Sequence, residues 1–143
     1  MNRIILINGK DQTKLSVFNR LVQFGDGLFE TCLVVDHKLI LAEAHFKRLE
    51  KGAKRLKISP IPRSVWIKEI AKAVFMAKLD NAVVKIILSR GETFRGYGYD
   101  KSITPTRIVM VSKAPDLPKD YTLSLCDSGY ASNQMLSEVK HCN

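Results

Sequence analysis

The sequence predicts an α+β domain in which a mostly antiparallel sheet has two helices packed on one face. Three observations support this fold class. Short β-rich runs separated by turn residues fill the first 41 residues, two stretches with helical periodicity follow, and β-rich runs return after residue 81. The chain has 143 residues and is 45% apolar, so it can bury a sizeable core as one domain plus a short extension.

Two β-hairpins are predicted near the N-terminus. The strand Arg3–Ile7 precedes Asn8-Gly9, which is a strong hairpin signal because both residues adopt positive φ easily. The chain is therefore expected to fold back over Lys10–Lys14. The second hairpin comprises the strand Leu28–Val35, the polar turn Asp36-His37 and the strand Lys38–Leu41.

Two amphipathic helices are predicted in the middle of the chain. Apolar residues recur at three- and four-residue steps from Ala42 onward, and Pro60 and Pro62 cannot continue that helix beyond about Ser59. The second helix is expected over Arg63–Lys78. Their apolar stripes consist of Phe46, Leu49, Ala53 and Leu56 in the first helix, and Trp66, Ile70, Ala73, Val74 and Ala77 in the second.

The last part of the chain predicts two more strands of the domain and the start of a second domain. The strands Ala82–Ser89 and Thr106–Ser112 are joined by a loop rich in glycine and arginine, Arg90–Tyr99. Residues 1–114 then form the N-terminal domain, and the proline-containing segment 115–120 is a linker. The segment 121–143 begins with a predicted strand, Tyr121–Cys126, and is too short to build a core alone. We therefore expect it to start a C-terminal domain that this chain lacks.

Composition limits the class of protein. Lys and Arg total 23 against 14 Asp and Glu, a formal charge of +9, which favours a phosphorylated or polyanionic partner. A solvated basic surface, or a longer chain whose remainder carries the acids, explains the same excess. The three cysteines, Cys32, Cys126 and Cys142, are widely spaced and predict a reducing compartment without a metal site. The N-terminal apolar run is far shorter than a membrane span, so we expect a cytoplasmic protein.

Two segments in the first half of the chain could carry chemistry. Gly25-Asp26-Gly27 precedes a strand and suits a close backbone approach, although an ordinary loop-to-strand turn has the same pattern. His45 and Arg48 lie three residues apart and share one helix face. Arg48 could hold a phosphate through its planar guanidinium, or it could be a surface arginine beside a half-buried histidine.

Two further segments are candidates in the second half. The loop Arg90–Tyr99 interleaves arginine, glycine and tyrosine, which suits capture of a carboxylate. The same residue types would suit nucleic-acid contacts, and a plain solvated hairpin is a third interpretation. Lys140 could form a covalent adduct with an aldehyde cofactor, or it could be an ordinary residue of the chain's tail.

Taken in order, the segments QFGDGLFET, HFKRL, SRGETFRGYG and VKHCN resemble the motif series of the fold-type-IV pyridoxal-phosphate enzymes. This family includes 4-amino-4-deoxychorismate lyases and the D-amino-acid and branched-chain aminotransferases. The resemblance implies that Lys140 binds pyridoxal 5'-phosphate covalently and shuttles protons, and that Arg48 binds the cofactor phosphate. It also implies that Arg95 and Tyr97 hold the substrate carboxylate across a homodimer interface and that Phe29 lines the substrate side of the pocket.

Departures from the aminotransferase pattern favour the lyase. D-amino-acid aminotransferases usually have tyrosine at the position of Phe29 and histidine at that of Tyr97, and the RGYG run is more similar to the lyase. The resemblance therefore implies conversion of 4-amino-4-deoxychorismate to 4-aminobenzoate and pyruvate in folate precursor synthesis. The alternatives are a D- or branched-chain amino-acid aminotransferase and, from another class, a basic module that binds nucleic acid or protein.

The resemblance also implies the partners. They are a small-molecule substrate and a second copy of the chain, with neither nucleic acid nor membrane. In this family the acid facing the pyridine nitrogen comes from the C-terminal domain, so the 143 residues alone are expected to be inactive. Asn19 stands where the relatives commonly carry aspartate.

Overall fold

A six-stranded antiparallel sheet forms the frame of the domain. The structure is a computed structural model that describes residues 3–116, 118–125, 136 and 138–143. The strand order is β2-β1-β6-β5-β3-β4, with antiparallel pairing at every step. The elements are β1 Ile4–Ile7, β2 Lys10–Asp11, α1 Arg20–Phe24, β3 Gly27–Val35, β4 Lys38–Leu39, α2 Ala42–Leu56, α3 Arg63–Ala77, β5 Ala82–Ser89 and β6 Thr106–Lys113. The predicted fold class is confirmed.

Both predicted hairpins form, with shorter return strands than expected. Asn8 and Gly9 have φ of 50° and 76° in the first turn, and β2 then covers only Lys10–Asp11 because the exposed residues after it leave the sheet edge. In the second hairpin β4 ends at Leu39. Leu41 takes a φ of 53° and becomes the N-cap of α2, so it cannot continue the strand.

Both long helices cover one face of the sheet, which we call the helix face. Along β3 the residues Leu28, Glu30, Cys32 and Val34 are buried toward this face, as the two-residue period of a strand requires. Apolar residues of α2 and α3 pack with Leu28 and Val34 in one core cluster. The opposite side, which we call the open face, carries the more exposed alternate residues of β3, including Phe29 and Thr31.

The short helix α1 was not predicted. Five residues form little more than one turn and show no hydrophobic periodicity that a sequence pattern could reveal. Its ends hold it instead. The Asn19 side chain accepts a hydrogen bond from the Leu21 N–H, and Gly25 caps the C-terminal end in the left-handed region with φ of 62°.

The chain after β6 differs from the prediction. The expected strand Tyr121–Cys126 is wrong for residues 121–125, which form no strand; Cys126 lies outside the described residues. Leu123 and Leu125 are 92% and 100% exposed, because no strand in the described part of the chain pairs with this segment. Residues 139–142 instead return to β3. Within the described ranges, every helix is too short or too polar to cross a membrane.

Candidate functional site

Lys140 lies beside the start of β3. The Phe29 N–H donates to the Lys140 carbonyl at 3.1 Å, and the Cys142 N–H donates to the Gly27 carbonyl at 3.0 Å. Leu28 and His141 form an antiparallel bridge between these bonds. Since β5 already pairs with the other edge of β3, the terminal segment extends the sheet locally and gives the Lys140 backbone a fixed position.

A close helix–strand approach seats this segment. Val139 is buried against the core cluster. A Cβ on Gly52 of α2 would lie 3.0 Å from Leu28 Cδ2 and 3.4 Å from Val139 Cγ1. Glycine at position 52 therefore lets the residue before Lys140 pack directly against α2.

A buried carboxylate holds Arg48. Glu30 is 0% exposed. Its Oε1 accepts from Arg48 Nε and its Oε2 from Arg48 Nη2, both at 2.6 Å. His45 Nδ1 lies 2.8 Å from the same Oε2. Among the described residues Arg48 Nη1 makes no hydrogen bond, and the Arg48 side chain is 49% exposed, so the outer end of the guanidinium can bind an anion.

The charged groups around Glu30 shift the pKa values of Glu30 and of the neighbouring Cys32. Burial raises the pKa of Glu30, but hydrogen bonds from Arg48 and His45 outweigh burial and bring that pKa below its ordinary value. Burial and the Glu30 charge raise the pKa of the Cys32 thiol to about 11, while the positive charges of Lys140 and Arg48 oppose the increase. Lys140 and Arg48 thus both lie within electrostatic range of Cys32 on β3.

On the open face, two lysines share the ring of Phe29. Lys140 Nζ lies 4.9 Å from the ring centroid and Lys85 Nζ lies 4.8 Å from it. Lys85 is directly opposite Thr31 in the pairing of β3 with β5. Two ammonium groups and an aromatic ring therefore meet beside the terminal segment.

The 90–99 loop is fixed at its base and open at its tip. Gly91 at the start of the loop accepts from the Arg20 N–H at 2.8 Å, and Arg20 and Arg90 are buried at 4% and 5% exposure. Toward the tip, Arg95 is exposed and Tyr97 is 82% exposed. The loop thus presents these two side chains to solvent.

Of the five predicted site residues, the structure brings Lys140 and Phe29 into contact. Arg48 shares the electrostatic surroundings of Lys140. Arg95 and Tyr97 make no side-chain contact with those three within the part of the chain that the structure describes. The roles of all five stay predictions.

Glu30, Lys85 and Arg20 belong to the candidate site but were not predicted from the sequence. Every second side chain of β3 is buried, and Glu30 falls in this series between Leu28 and Cys32. A buried carboxylate needs a cationic partner, so this pattern was a detectable signal for Glu30. Lys85 alternates outward on β5 as any surface lysine would, so the sequence carries no signal for its role. No group of His, Cys, Asp and Glu with metal-binding geometry occurs among the described residues.

The class of protein follows from a match to a family model. A family model described as amino-transferase class IV matches residues 27–143. The chain belongs to the class IV aminotransferase family.

Two relatives and one crystal structure indicate which members of this family the chain resembles. The chain is 29% identical to the aminodeoxychorismate lyase of Vibrio harveyi over 96% of the chain and 52% of that protein. It is 35% identical to the bifunctional aminodeoxychorismate lyase / D-amino acid transaminase of Mycobacterium tuberculosis, over 64% of the chain and 30% of that protein. It resembles the crystal structure of 4-amino-4-deoxychorismate lyase from Pseudomonas aeruginosa with a TM-score of 0.86 and 34% identity, over 98% of the chain and 53% of that structure. The chain therefore spans about half the length of two of these relatives and less of the third.

Proposed function

We propose that this chain supplies the N-terminal half of a pyridoxal-phosphate-dependent 4-amino-4-deoxychorismate lyase. The observation that supports it most is the arrangement of Lys140 over the Phe29 ring at 4.9 Å. A buried glutamate also holds Arg48 with one end of its guanidinium free, and the charges of Lys140 and Arg48 both act on Cys32. The likeness to the Pseudomonas aeruginosa lyase extends over 98% of the chain and supports the same reaction.

Arg48 and Lys140 have the functional groups that binding of pyridoxal phosphate requires. The free end of the Arg48 guanidinium is a bidentate donor for a phosphate, and the Glu30 contact fixes its direction. Lys140 supplies the primary amine that a cofactor aldehyde requires. When bound, pyridoxal phosphate provides that aldehyde and a ring that withdraws electrons from the reacting carbon.

The chain's own residues then perform positioning and proton transfer. Lys140 Nζ removes the proton from the substrate carbon that bears the amino group and returns a proton as enolpyruvate leaves. Lys85, which shares the Phe29 ring with Lys140, holds a substrate carboxylate. Phe29 lies beneath both ammonium groups and excludes water from that side of the reacting carbon.

The assembly is part of the proposal. Arg95 is exposed at the tip of its loop and binds a second substrate carboxylate in the site of a neighbouring copy, so the active form is a homodimer. The reaction products are 4-aminobenzoate and pyruvate.

A product assay separates this reaction from amino transfer. The gene product that contains this chain is supplied with pyridoxal phosphate and 4-amino-4-deoxychorismate, and 4-aminobenzoate and pyruvate are quantified. In parallel it receives D-alanine or a branched-chain amino acid with a keto acid. We expect 4-aminobenzoate release that does not depend on added keto acid. Amino transfer to the keto acid without 4-aminobenzoate release would instead assign the chain to an aminotransferase.

A further inference from the structure

The backbone of the 90–99 loop is wrapped around one buried guanidinium. Arg20 Nη2 donates to the Tyr97 carbonyl at 3.0 Å. Arg20 Nη1 donates to the Thr93 hydroxyl at 3.2 Å and to the carbonyls of Gly96 and Gly98, both at 3.4 Å. Three consecutive carbonyls therefore converge on the two terminal nitrogens of a single side chain.

A shared carboxylate ties this guanidinium to the end of helix α2. Asp26 accepts from Arg20 Nε at 2.8 Å and from Arg90 through Nε at 2.7 Å and Nη2 at 3.0 Å. Arg90 in turn donates to the carbonyls of Leu56 and Lys57 at 2.8 Å and 2.9 Å. Burial raises the pKa of Asp26, but hydrogen bonds from both arginines outweigh it and lower that pKa, so the carboxylate stays ionised near neutral pH.

Aromatic rings enclose the two guanidiniums. Arg20 Cζ lies 4.8 Å from the Phe24 ring and 5.4 Å from the Tyr99 ring, and Arg90 Cζ lies 4.1 Å from Tyr99. The Phe24 ring also packs against Tyr97 at 5.1 Å. These contacts keep water away from the charged hydrogen bonds and so strengthen them.

The consequence is a loop with its carbonyls inside and its side chains outside. Phe94 is 88% exposed and Tyr97 is 82% exposed, and Arg95 between them is exposed as well. Glycine dominates the rest of this turn, and Gly96 takes a positive φ of 75°. A free loop of this composition would sample many conformations, so its single conformation depends on Arg20.

We propose that Arg20 is the positioning residue of this loop: its guanidinium is the template on which residues 93–98 fold. Asp26 and Arg90 anchor that template to α2, the helix that carries Arg48. The arrangement thus holds the loop tip, which carries Arg95, in a fixed position relative to the end of α2. The inference rests on the proposed function only in the role given to Arg95 at the tip.

The number and placement of N–H donors predict which substitutions at position 20 fail to hold the loop. Arginine offers five N–H donors spread over three nitrogens in one plane, and Arg20 uses all three nitrogens. A lysine at position 20 keeps the charge and can still pair with Asp26, but its single nitrogen cannot reach Asp26 and the loop carbonyls together. A side chain that matches Arg20 only in charge and size therefore cannot hold the loop in its conformation.

The test is hydrogen exchange measured by mass spectrometry on the whole chain with Arg20→Met and Arg20→Lys. Among the described residues 92–99 the Thr93 amide is the one that donates a hydrogen bond, to the Phe18 carbonyl at 3.1 Å. We expect this amide to exchange about tenfold faster or more in both variants, because the charge-assisted hydrogen bonds that hold the loop are lost. Amides of β5 should keep their wild-type rates. Arg63→Lys, which alters the two ion pairs of Arg63 with Glu43 and Glu50, is the matched control and should leave the 92–99 amides unchanged.

Two outcomes would overturn the proposal. The first is loop exchange at the wild-type rate in Arg20→Lys, because charge alone would then suffice. The second is an equal acceleration in β5 and the loop, because Arg20 would then act only through global stability. Arg20→Lys retains the Asp26 pair and decides the matter even where Arg20→Met fails to fold. The measurement uses neither cofactor nor substrate, so its result is independent of the lyase proposal.

Discussion

Replacing Glu30 with glutamine removes the charge that holds Arg48 and keeps the side-chain volume. The Glu30 side chain is 1% exposed and receives two hydrogen bonds from Arg48 and one contact from His45. Hydrogen bonds to charged groups contribute about 1.5–3 kcal/mol each when buried. Because Arg48 is 49% exposed, water screens its part of the pair. We therefore expect Glu30→Gln to lower the free energy of unfolding by about 2 kcal/mol at pH 7.

The effect has a defined pH dependence. The pKa of Glu30 in the folded chain is below its ordinary value of 4.5. Above that value the carboxylate is ionised in both folded and unfolded states, so its stabilising contribution is fully present. As the pH falls below 4.5 the unfolded state binds the proton first, and the contribution disappears as the pH passes through the lowered folded-state pKa. The difference between wild type and Glu30→Gln should be constant from neutral pH to about pH 5 and shrink below that.

Urea unfolding followed by tryptophan fluorescence measures this difference. Trp66 is the single tryptophan of the chain and is 2% exposed, so its emission reports loss of the core. Glu138→Gln is the control, because the ion pair of Glu138 with Lys51 is exposed on both sides and its loss should leave unfolding unchanged. A Glu30→Gln variant as stable as wild type at pH 7, or a deficit that persists unchanged in acid, would refute the reasoning.

Three further predictions concern stability and reactivity. Asn19→Ala removes three side-chain hydrogen bonds from a fully buried site and should cost about 2–3 kcal/mol in urea unfolding, whereas Asn81→Ala, at an exposed site, should cost under about 0.5 kcal/mol. Gly27→Ala places a Cβ 2.8 Å from a β5 carbonyl oxygen and should lower the thermal midpoint clearly, whereas Gly98→Ala meets nothing within 4 Å and should not. Because burial raises the pKa of Cys32 to about 11, peptide mapping at pH 8 should find it unlabelled by a thiol reagent in the folded chain and labelled in urea; labelling in the folded chain would contradict that burial.

Local patterns predicted most of the frame. The Asn8-Gly9 turn needs only the conformational freedom of two adjacent residues, and the stripes of α2 and α3 follow from a period that the sequence displays directly. One exception is α1, where the hydrogen bonds of Asn19 and the left-handed Gly25 replace periodicity. The expected strand 121–126 is a second exception, because residues 121–125 form no strand. The other helix and strand bounds agree within a few residues.

Long-range contacts account for what the sequence did not reveal. Nothing local indicates that Lys140 pairs with Phe29 or that Arg20 binds carbonyls more than 70 positions away. The role of Asn19 is likewise long-range: its amide nitrogen donates to the Thr106 hydroxyl at 3.0 Å, which an ionised aspartate could not do as a donor. The site is therefore readable from sequence only through motifs, while its geometry depends on the fold.

We propose that Lys140 is the residue that binds the cofactor. The direct measurement is incubation of the chain with pyridoxal phosphate, reduction with borohydride, and mass spectrometry of the resulting peptides, with Lys140→Ala as the control. We predict an absorbance band of a lysine-bound cofactor and a reduced adduct on Lys140, both lost in the control. Adducts scattered over many lysines, or a band that persists in Lys140→Ala, would contradict the assignment.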